Sequence, residues 1–155
     1  ALSEPGAVAV HCPTSNLFLG SGLFPLKEFE RRDRPVRIAV ATDIGGGTSY
    51  SMLKTMDEAY KIQQLRGERL TPLESFFHMT RGNAEALGLA DRIGTLEPGT
   101  DADIVVLDAR ATPAMALKME AASTLAEELF LLQTLGDDRA IAETYIAGRP
   151  AKSAI

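Results

Sequence analysis

Asp43 is the residue of this sequence whose position best suits chemistry. It follows the short apolar run at residues 36–41, which predicts a buried strand, and three glycines at 45–47 come after it. Barrels of alternating strands and helices place catalytic groups at the carboxyl ends of their strands, and divalent cations accept carboxylate oxygens as ligands. The alternative is that Asp43 caps a helix beginning near Thr48 or closes a turn. The pattern leaves both interpretations open.

The other candidate metal ligands are two histidines and one cysteine. His11 and Cys12 end the predicted strand at 7–12, where neighbouring side chains point to opposite faces and do not readily chelate one ion together. His78 lies in a predicted helix with no second histidine or cysteine three or four residues away. A catalytic zinc site needs about three protein ligands. We therefore predict structural roles for these three side chains and no complete metal site.

Two further arrangements have less support. Ser15, His11 and Asp43 contain the residue types of a hydrolytic triad, but no G-x-S-x-G turn surrounds a serine of this sequence. The glycines at 45–47 do not fit the G-x-G-x-x-G or G-x-x-x-x-G-K-[ST] patterns of phosphate-binding loops. Neither a serine hydrolase nor a nucleotide-binding protein is favoured.

The elements that must position these residues follow from hydrophobic periodicity. The strands at 7–12 and 36–41 are short and apolar, as strands buried on both faces are, and a loop at 14–22 and a short helix separate them. A helix at 50–65, capped by Thr48 or Ser49, is predicted to come next. The later predicted elements are β structure at 93–96 and 102–108, a helix at Leu125–Leu135 closed by Gly136, and a last strand at 142–147.

A capping-box pattern at residues 71–74 is the clearest helix signal. The threonine, proline and glutamate of this motif stand at the cap, first and third helical positions. The helix that begins there is predicted to end at Gly88. The side chains predicted to point inward are Leu73, Phe76, Phe77, Thr80, Ala84 and Leu87.

Composition restricts the classes of partner. The chain has 155 residues, 45% of them hydrophobic, and a net charge of −5, which is typical of a globular protein. Nucleic acid and anionic membrane are disfavoured as partners, because the basic residues are scattered except for a short charged run at 30–34. The single cysteine excludes an internal disulfide. No apolar run approaches the ~18 residues of a membrane span and no targeting signal is visible, so we expect a cytoplasmic protein.

Three stretches of the sequence carry a resemblance to a known family. They are H-C-P-T-S-N-L at 11–17, A-T-D-I-G-G-G-T-S-Y-S-M-L at 41–53 and A-E-A-L-G-L at 84–89. In this order and spacing they resemble the guanine deaminases of the amidohydrolase superfamily. The likeness continues through 93–107, 135–139 and 145–148, so it covers nearly the whole chain. The stretch around Asp43 is the most specific, because it separates guanine deaminases from most of their relatives.

The resemblance implies the fold class and the domains. The fold would be α/β, namely the C-terminal part of a metal-dependent hydrolase (β/α)₈ TIM barrel plus part of a small β-sandwich domain. Residues 1–90 would contain barrel strands seven and eight with their helices, and residues 91–155 the sandwich strands with an intervening helical segment. Because such a barrel needs about 200 residues or more, the chain is predicted to be a part of a longer enzyme and to be inactive alone.

The resemblance also implies a reaction, the hydrolysis of guanine to xanthine and ammonia. It would use one zinc, or occasionally iron, per active site, which activates a hydroxide for attack on C2 of the purine. Asp43 would be a metal ligand, the catalytic proton shuttle and a substrate-binding residue. His11 would not be a ligand, since the family's histidine ligands come from strands absent here. The isolated chain is predicted to retain no stoichiometric zinc.

Two alternatives remain open. The first is another amidohydrolase that deaminates or dechlorinates a nitrogen heterocycle, although the residues at 45–49 favour a guanine deaminase. The second is a noncatalytic module that forms a homodimer through Leu125–Leu135, for which simple core packing of that helix is the competing interpretation.

Overall fold

The structure is a computed structural model that describes residues 6–31 and 36–152. Part of the charged run at 30–34 therefore lies outside the described residues. The strands are β1 Val8–His11, β2 Arg37–Val40, β3 Ile104–Leu107, β4 Ile141–Ile146 and β5 Arg149–Pro150. The helices are α1 Pro13–Phe18, α2 Leu26–Glu30, α3 Met52–Leu65, α4 Pro72–Met79, α5 Arg81–Ala86, α6 Pro113–Met119 and α7 Leu125–Leu135.

The first two strands form a parallel pair that positions the candidate site. β1 and β2 run in register from Val8 opposite Arg37 to His11 opposite Val40. Val40 is 2% exposed and packs into a cluster with Met56, Ala59 and Leu70. Helices therefore cover one face of this pair, as they do in barrels of parallel strands.

The loop predicted at 14–22 is wrong in its first half, because α1 begins at Pro13. Proline has no backbone N–H to leave unpaired and its fixed φ suits the first helical turn. Pro13 thus ends the strand and also starts the helix. Thr14 and Ser15 are both buried in this first turn, which brings two hydroxyl groups to the carboxyl end of β1.

The helix predicted at 50–65 is confirmed over Met52–Leu65, with a different cap. Ser51, rather than Thr48 or Ser49, accepts a hydrogen bond from the backbone N–H of Lys54. One face of the helix is buried and includes Leu53, Met56, Ala59 and Gln63. Helix α3 follows β2 in the chain, and its buried face contributes Met56 and Ala59 to the cluster around Val40.

The single helix predicted from residue 72 to Gly88 is instead two helices. The capping box is confirmed, with Thr71 and Glu74 bonded reciprocally. The chain breaks at Thr80, which has φ −124° and ψ −99°. The break allows Gly82 to pack on Phe77, where an added Cβ would lie 2.9 Å from ring atom Cε1. This contact joins two helices and leaves no local sequence pattern.

The inward direction predicted for that helix is partly wrong. Leu73 is 58% exposed and Phe77 is 44% exposed, whereas Phe76 packs against the main buried cluster. Leu87 is 61% exposed and Thr80 is exposed as well, whereas Ala84 is 3% exposed, as predicted.

The remaining strands form an antiparallel sheet in the order β3–β4–β5. The strand predicted at 93–96 is wrong, because this segment is a turn in which Gly94 has φ +87°. Helix α7 is confirmed with its predicted bounds and contributes Leu131 and Leu132 to a cluster with Met115. Its last residue is followed by Gly136, which is extended rather than left-handed. The predicted domain boundary near residue 90 stays a prediction.

No helix within residues 6–31 and 36–152 combines the length and apolar character needed to cross a bilayer.

Candidate active site

Asp43 lies just past the carboxyl end of β2 in an unusual backbone conformation. Its φ is +54°, in the left-handed region that residues other than glycine seldom occupy and that Asp and Asn tolerate best. Its carbonyl oxygen accepts hydrogen bonds from the N–H groups of Gly46 at 3.0 Å and Gly47 at 2.5 Å. The backbone of Asp43 therefore closes a tight turn, as one sequence interpretation predicted.

The side chain of Asp43 takes no part in that turn. The capping interpretation is wrong, because Ser51 caps α3. The Asp43 carboxylate is exposed and makes no hydrogen bond or ion pair with any other described residue. The turn uses the backbone of Asp43 and leaves its carboxylate without a partner among the described residues, and backbone strain of this kind concentrates at functional sites.

Gly46 leaves little space beside the Asp43 carboxylate. We call the narrow space between Gly46, Asp43 and Ser15 the notch. A Cβ added to Gly46 would lie 2.9 Å from Asp43 Oδ2 and 2.8 Å from the Ser15 hydroxyl oxygen. Real Cβ atoms do not approach so closely, so a side chain at this position would displace one of the two groups. The absence of a side chain at Gly46 therefore allows a close approach of its backbone to Asp43 and Ser15.

The adjoining glycine is constrained in the same way. A Cβ on Gly47 would lie 2.8 Å from Thr14 Oγ1, which itself donates to the Thr42 carbonyl at 3.3 Å. The first turn of α1 thus packs directly against the loop that carries Asp43. Sequence reasoning missed this role of Thr14 and Ser15, and the only available signal was their occurrence in the H-C-P-T-S-N-L stretch.

Cys12 lies within electrostatic range of Asp43. Burial, and then the negative charge of Asp43, raise the pKa of the Cys12 thiol. The thiol is therefore kept in its neutral form, in which it is a poor nucleophile and a poor metal ligand. This agrees with the structural role predicted for Cys12.

His11 packs on the helix-covered side of the strand pair. It is fully buried and its ring stacks on Phe24 with centroids 4.5 Å apart. Burial lowers the pKa of His11 to about 4, against the opposing effect of Asn16. His11 makes no hydrogen bond to Ser15 or Asp43, so the triad drawn from these three residues is not assembled.

His78 is also part of the packing. It is 5% exposed, and its Nε2 lies 3.1 Å from Glu30 Oε1. The hydrogen bond from His78, together with Lys27, lowers the pKa of Glu30 although burial opposes this. The interpretation of His78 as a core histidine is confirmed, because the pair joins α2 to α4.

Asp43 can contribute one metal ligand at this site. Within the described ranges, no group of three or more His, Cys, Asp or Glu residues lies close enough together to hold a metal. The exposed Asp43 carboxylate, supported by the notch at Gly46, can supply one oxygen ligand of the kind that zinc accepts.

Comparison with known proteins gives consistent results. The amidohydrolase family matches residues 2–151. Guanine deaminase of Escherichia coli K12 is 48% identical over 148 residues, which are 96% of this chain and 33% of that protein. The solved structure of E. coli guanine deaminase matches with a TM-score of 0.95 and 46% identity, covering 99% of this chain and 36% of that one. The predicted resemblance and the predicted α/β amidohydrolase barrel fold are confirmed.

A more distant solved structure was determined with a metal. An adenosine deaminase from Xanthomonas campestris with bound zinc matches with a TM-score of 0.77 and 29% identity, over 96% of this chain and 33% of that one. Amidohydrolases are generally metal-dependent. The present chain spans about a third of the length of the curated relatives that it matches. The match over residues 2–151, the identity to its relatives and the shared structure establish that this chain belongs to the amidohydrolase family.

Proposed function

We propose that this chain contributes the eighth-strand aspartate to a guanine deaminase, which hydrolyses guanine to xanthine and ammonia. The observation that carries the proposal is the Asp43 carboxylate, which is exposed at the end of β2, has no structural partner among the described residues and is held by a left-handed backbone. The 48% identity to a guanine deaminase over almost the whole chain supports the choice of substrate.

Asp43 would be one ligand of a divalent cation, with zinc favoured and iron as the alternative. The other ligands would come from residues beyond these 155, because the described part of the chain contains no group of three or more His, Cys, Asp or Glu residues that could hold a metal. When bound, the cation supplies Lewis-acid activation of a water molecule. The notch at Gly46 limits the movement of the Asp43 side chain, which suits a ligand whose position must be fixed.

The second role of Asp43 is proton transfer. Hydrolysis of guanine adds water at C2 and expels the exocyclic amino group, which has to leave as ammonia and therefore needs a proton. A carboxylate that faces the reacting atoms can accept a proton from the attacking water and deliver it to the departing nitrogen. Asp43 would thus also contact the substrate. Cys12 does not compete for this role, because its pKa is raised.

Two further predictions concern a homodimer formed through α7 and the cellular location. Helix α7 buries Leu131 and Leu132 in the core, which supports core packing as its role. Exposed apolar side chains on the same helix, such as Leu125, keep a homodimer as a prediction. The cytoplasmic location likewise stays a prediction.

The test uses the complete gene product that contains these 155 residues. Ammonia release is measured with guanine and with other aminopurines, and chloride release with a chloro-substituted triazine, before and after removal and return of zinc. We expect guanine to give the highest kcat/KM, and activity to be lost on chelation and restored by zinc. Preference for another heterocycle would favour the alternative amidohydrolase, and full activity after complete metal removal would contradict the mechanism.

A further inference from the structure

A side chain forms hydrogen bonds with the edge of β2 that faces away from β1. The N–H of Ala41 donates to the carbonyl of His11 at 3.0 Å, so the backbone groups of Ala41 face β1 and those of the preceding residue, Val40, face the opposite edge. Val40 is 2% exposed. Buried backbone groups are nearly always paired, because burying them unpaired is unfavourable. The strand therefore requires a hydrogen-bonding partner on its far side at this residue.

Asn83 supplies both hydrogen bonds. The N–H of Val40 donates to Asn83 Oδ1 at 2.8 Å, and Asn83 Nδ2 donates to the Val40 carbonyl at 2.9 Å. A carboxamide presents a donor and an acceptor in one plane, as a peptide group does. Asn83 therefore replaces a strand partner at Val40, although it lies on α5, 43 positions further along the chain.

Close packing holds α5 in position. Gly82, next to Asn83, lies so near Phe77 that an added Cβ would be 2.9 Å from the ring. On the other side of Asn83, an added Cβ on Gly94 would lie 2.8 Å from the Cβ of Ala84. The carboxamide thus projects from a helix that cannot readily shift, and it transmits the position of that helix to β2.

We propose that Asn83 is a positioning residue for Asp43, an inference that rests on the proposed role of Asp43 as a metal ligand. Val40 is the last residue of β2. Asn83 fixes Val40 on one side and His11 fixes Ala41 on the other, so the strand is clamped from both edges directly before Asp43. Ligand distances in metal sites hold to within about 0.2 Å. Release of one edge would let the carboxylate leave that range.

The test is a double-mutant cycle in the complete gene product. Asn83→Asp keeps the acceptor for the Val40 N–H and replaces the donor to the Val40 carbonyl with a carboxylate oxygen. We expect zinc affinity, measured by competition with a chromogenic chelator, to fall about tenfold to a hundredfold, as for other groups that orient metal ligands. In the Asp43→Asn background, Asn83→Asp should lower zinc affinity no further, because its effect passes through Asp43.

Thr124→Ala is the matched control, since it removes the capping hydrogen bond of α7 and leaves β2 unchanged. It should lower the melting temperature without changing zinc affinity. Wild-type zinc affinity in a folded Asn83→Asp protein would overturn the proposal. An equal loss of affinity with and without Asp43 would also overturn it, because Asn83 would then act on the fold as a whole.

Amide hydrogen exchange in the wild-type protein decides the matter if the Asn83 variants do not fold. The clamp predicts that the N–H of Val40 exchanges as slowly as that of Ala41, and much faster exchange at Val40 would overturn it. The same variants distinguish a failure of the proposed function of Asp43 from a failure of the positioning role of Asn83. If Asp43→Asn leaves zinc affinity unchanged, the proposed function fails; if Asp43→Asn weakens zinc and Asn83→Asp does not, only the positioning role of Asn83 fails.

Discussion

Asp43 and Asp137 both lie in turns of this chain, and their carboxylates are used differently. Asp137 accepts a hydrogen bond from the backbone N–H of Arg139 at 3.0 Å and pairs with its guanidinium at 2.6 Å. The side chain of Arg139 lowers the pKa of Asp137, and the backbone at Asp137 is extended. Asp43 has a left-handed backbone and a carboxylate without a partner in the described ranges. A carboxylate that completes its own turn is structural, whereas one that the turn leaves free is available for a ligand.

The largest effect should come from removing the charge at the free carboxylate. Asp43→Asn in the complete gene product is expected to lower kcat for ammonia release from guanine by about 10² to 10⁴-fold, the range of proton-transfer catalysis. The melting temperature of the metal-free protein should change little, because Asn also tolerates a positive φ. Asp137→Asn is the matched control and should keep full kcat. Equal activity in the two variants would remove the distinction between the turns.

A second prediction concerns the support of that carboxylate. Gly46→Ala would place a Cβ against Asp43 Oδ2 and the Ser15 hydroxyl. We expect zinc affinity to fall about tenfold or more and stability to fall by about 1–3 kcal/mol, as for overpacking. Gly67→Ala is the control, because Gly67 has a positive φ but no neighbour within 4 Å of its added Cβ. It should lower stability and leave zinc affinity unchanged; the same loss of zinc in both variants would argue against the notch.

The third prediction extends the comparison to the helix-covered side of the strands. Burial lowers the pKa of His11 from 6.5 to about 4, so folding favours the neutral ring. The stability that depends on neutral His11 is complete above pH 6.5 and is lost as the pH falls toward 4. Between pH 7 and pH 5 the wild-type protein should lose roughly 2 kcal/mol more than His11→Phe, which keeps the stack on Phe24.

Urea unfolding of both proteins at the two pH values measures this difference. An identical pH dependence of wild type and His11→Phe would show that His11 is not buried in its neutral form. At a single pH, wild type and His11→Phe should release ammonia from guanine at similar rates, because the His11 side chain makes no hydrogen bond to Asp43.

The smallest effect is expected at the caps. Thr124→Ala removes one hydrogen bond of the capping box of α7 and should lower stability by about 1 kcal/mol with kcat unchanged. Thermal unfolding and ammonia release together check this. A large fall in kcat would show that α7 contributes to the reaction, which we assign to the residues at the carboxyl ends of β1 and β2.

The extent to which sequence predicts this molecule depends on how local each feature is. Strands β1 to β4, α3, α7 and the capping box at Thr71 follow from patterns within a few residues, and the importance of Asp43 follows from its place after an apolar strand. The break at Thr80 depends on contact of Gly82 with Phe77 across two helices. It could not be predicted because only the folded chain brings these groups together.

The residues that position Asp43 could not be predicted from the sequence for the same reason. Ser15 reaches the notch from α1, and Asn83 reaches Val40 from α5. Each is an ordinary polar residue in its own segment, with no spacing that relates it to Asp43. The type of the chemical group was predictable from sequence, whereas the groups that hold it in place required the tertiary structure.

The most direct measurement of the central claim is the zinc content of the purified complete gene product after dialysis, for wild type, Asp43→Asn and Asp137→Asn. The account predicts one zinc per chain in wild type and in Asp137→Asn, and a clear loss of zinc in Asp43→Asn. Stoichiometric zinc in Asp43→Asn, held as tightly as in wild type, would contradict the assignment of Asp43 as a metal ligand.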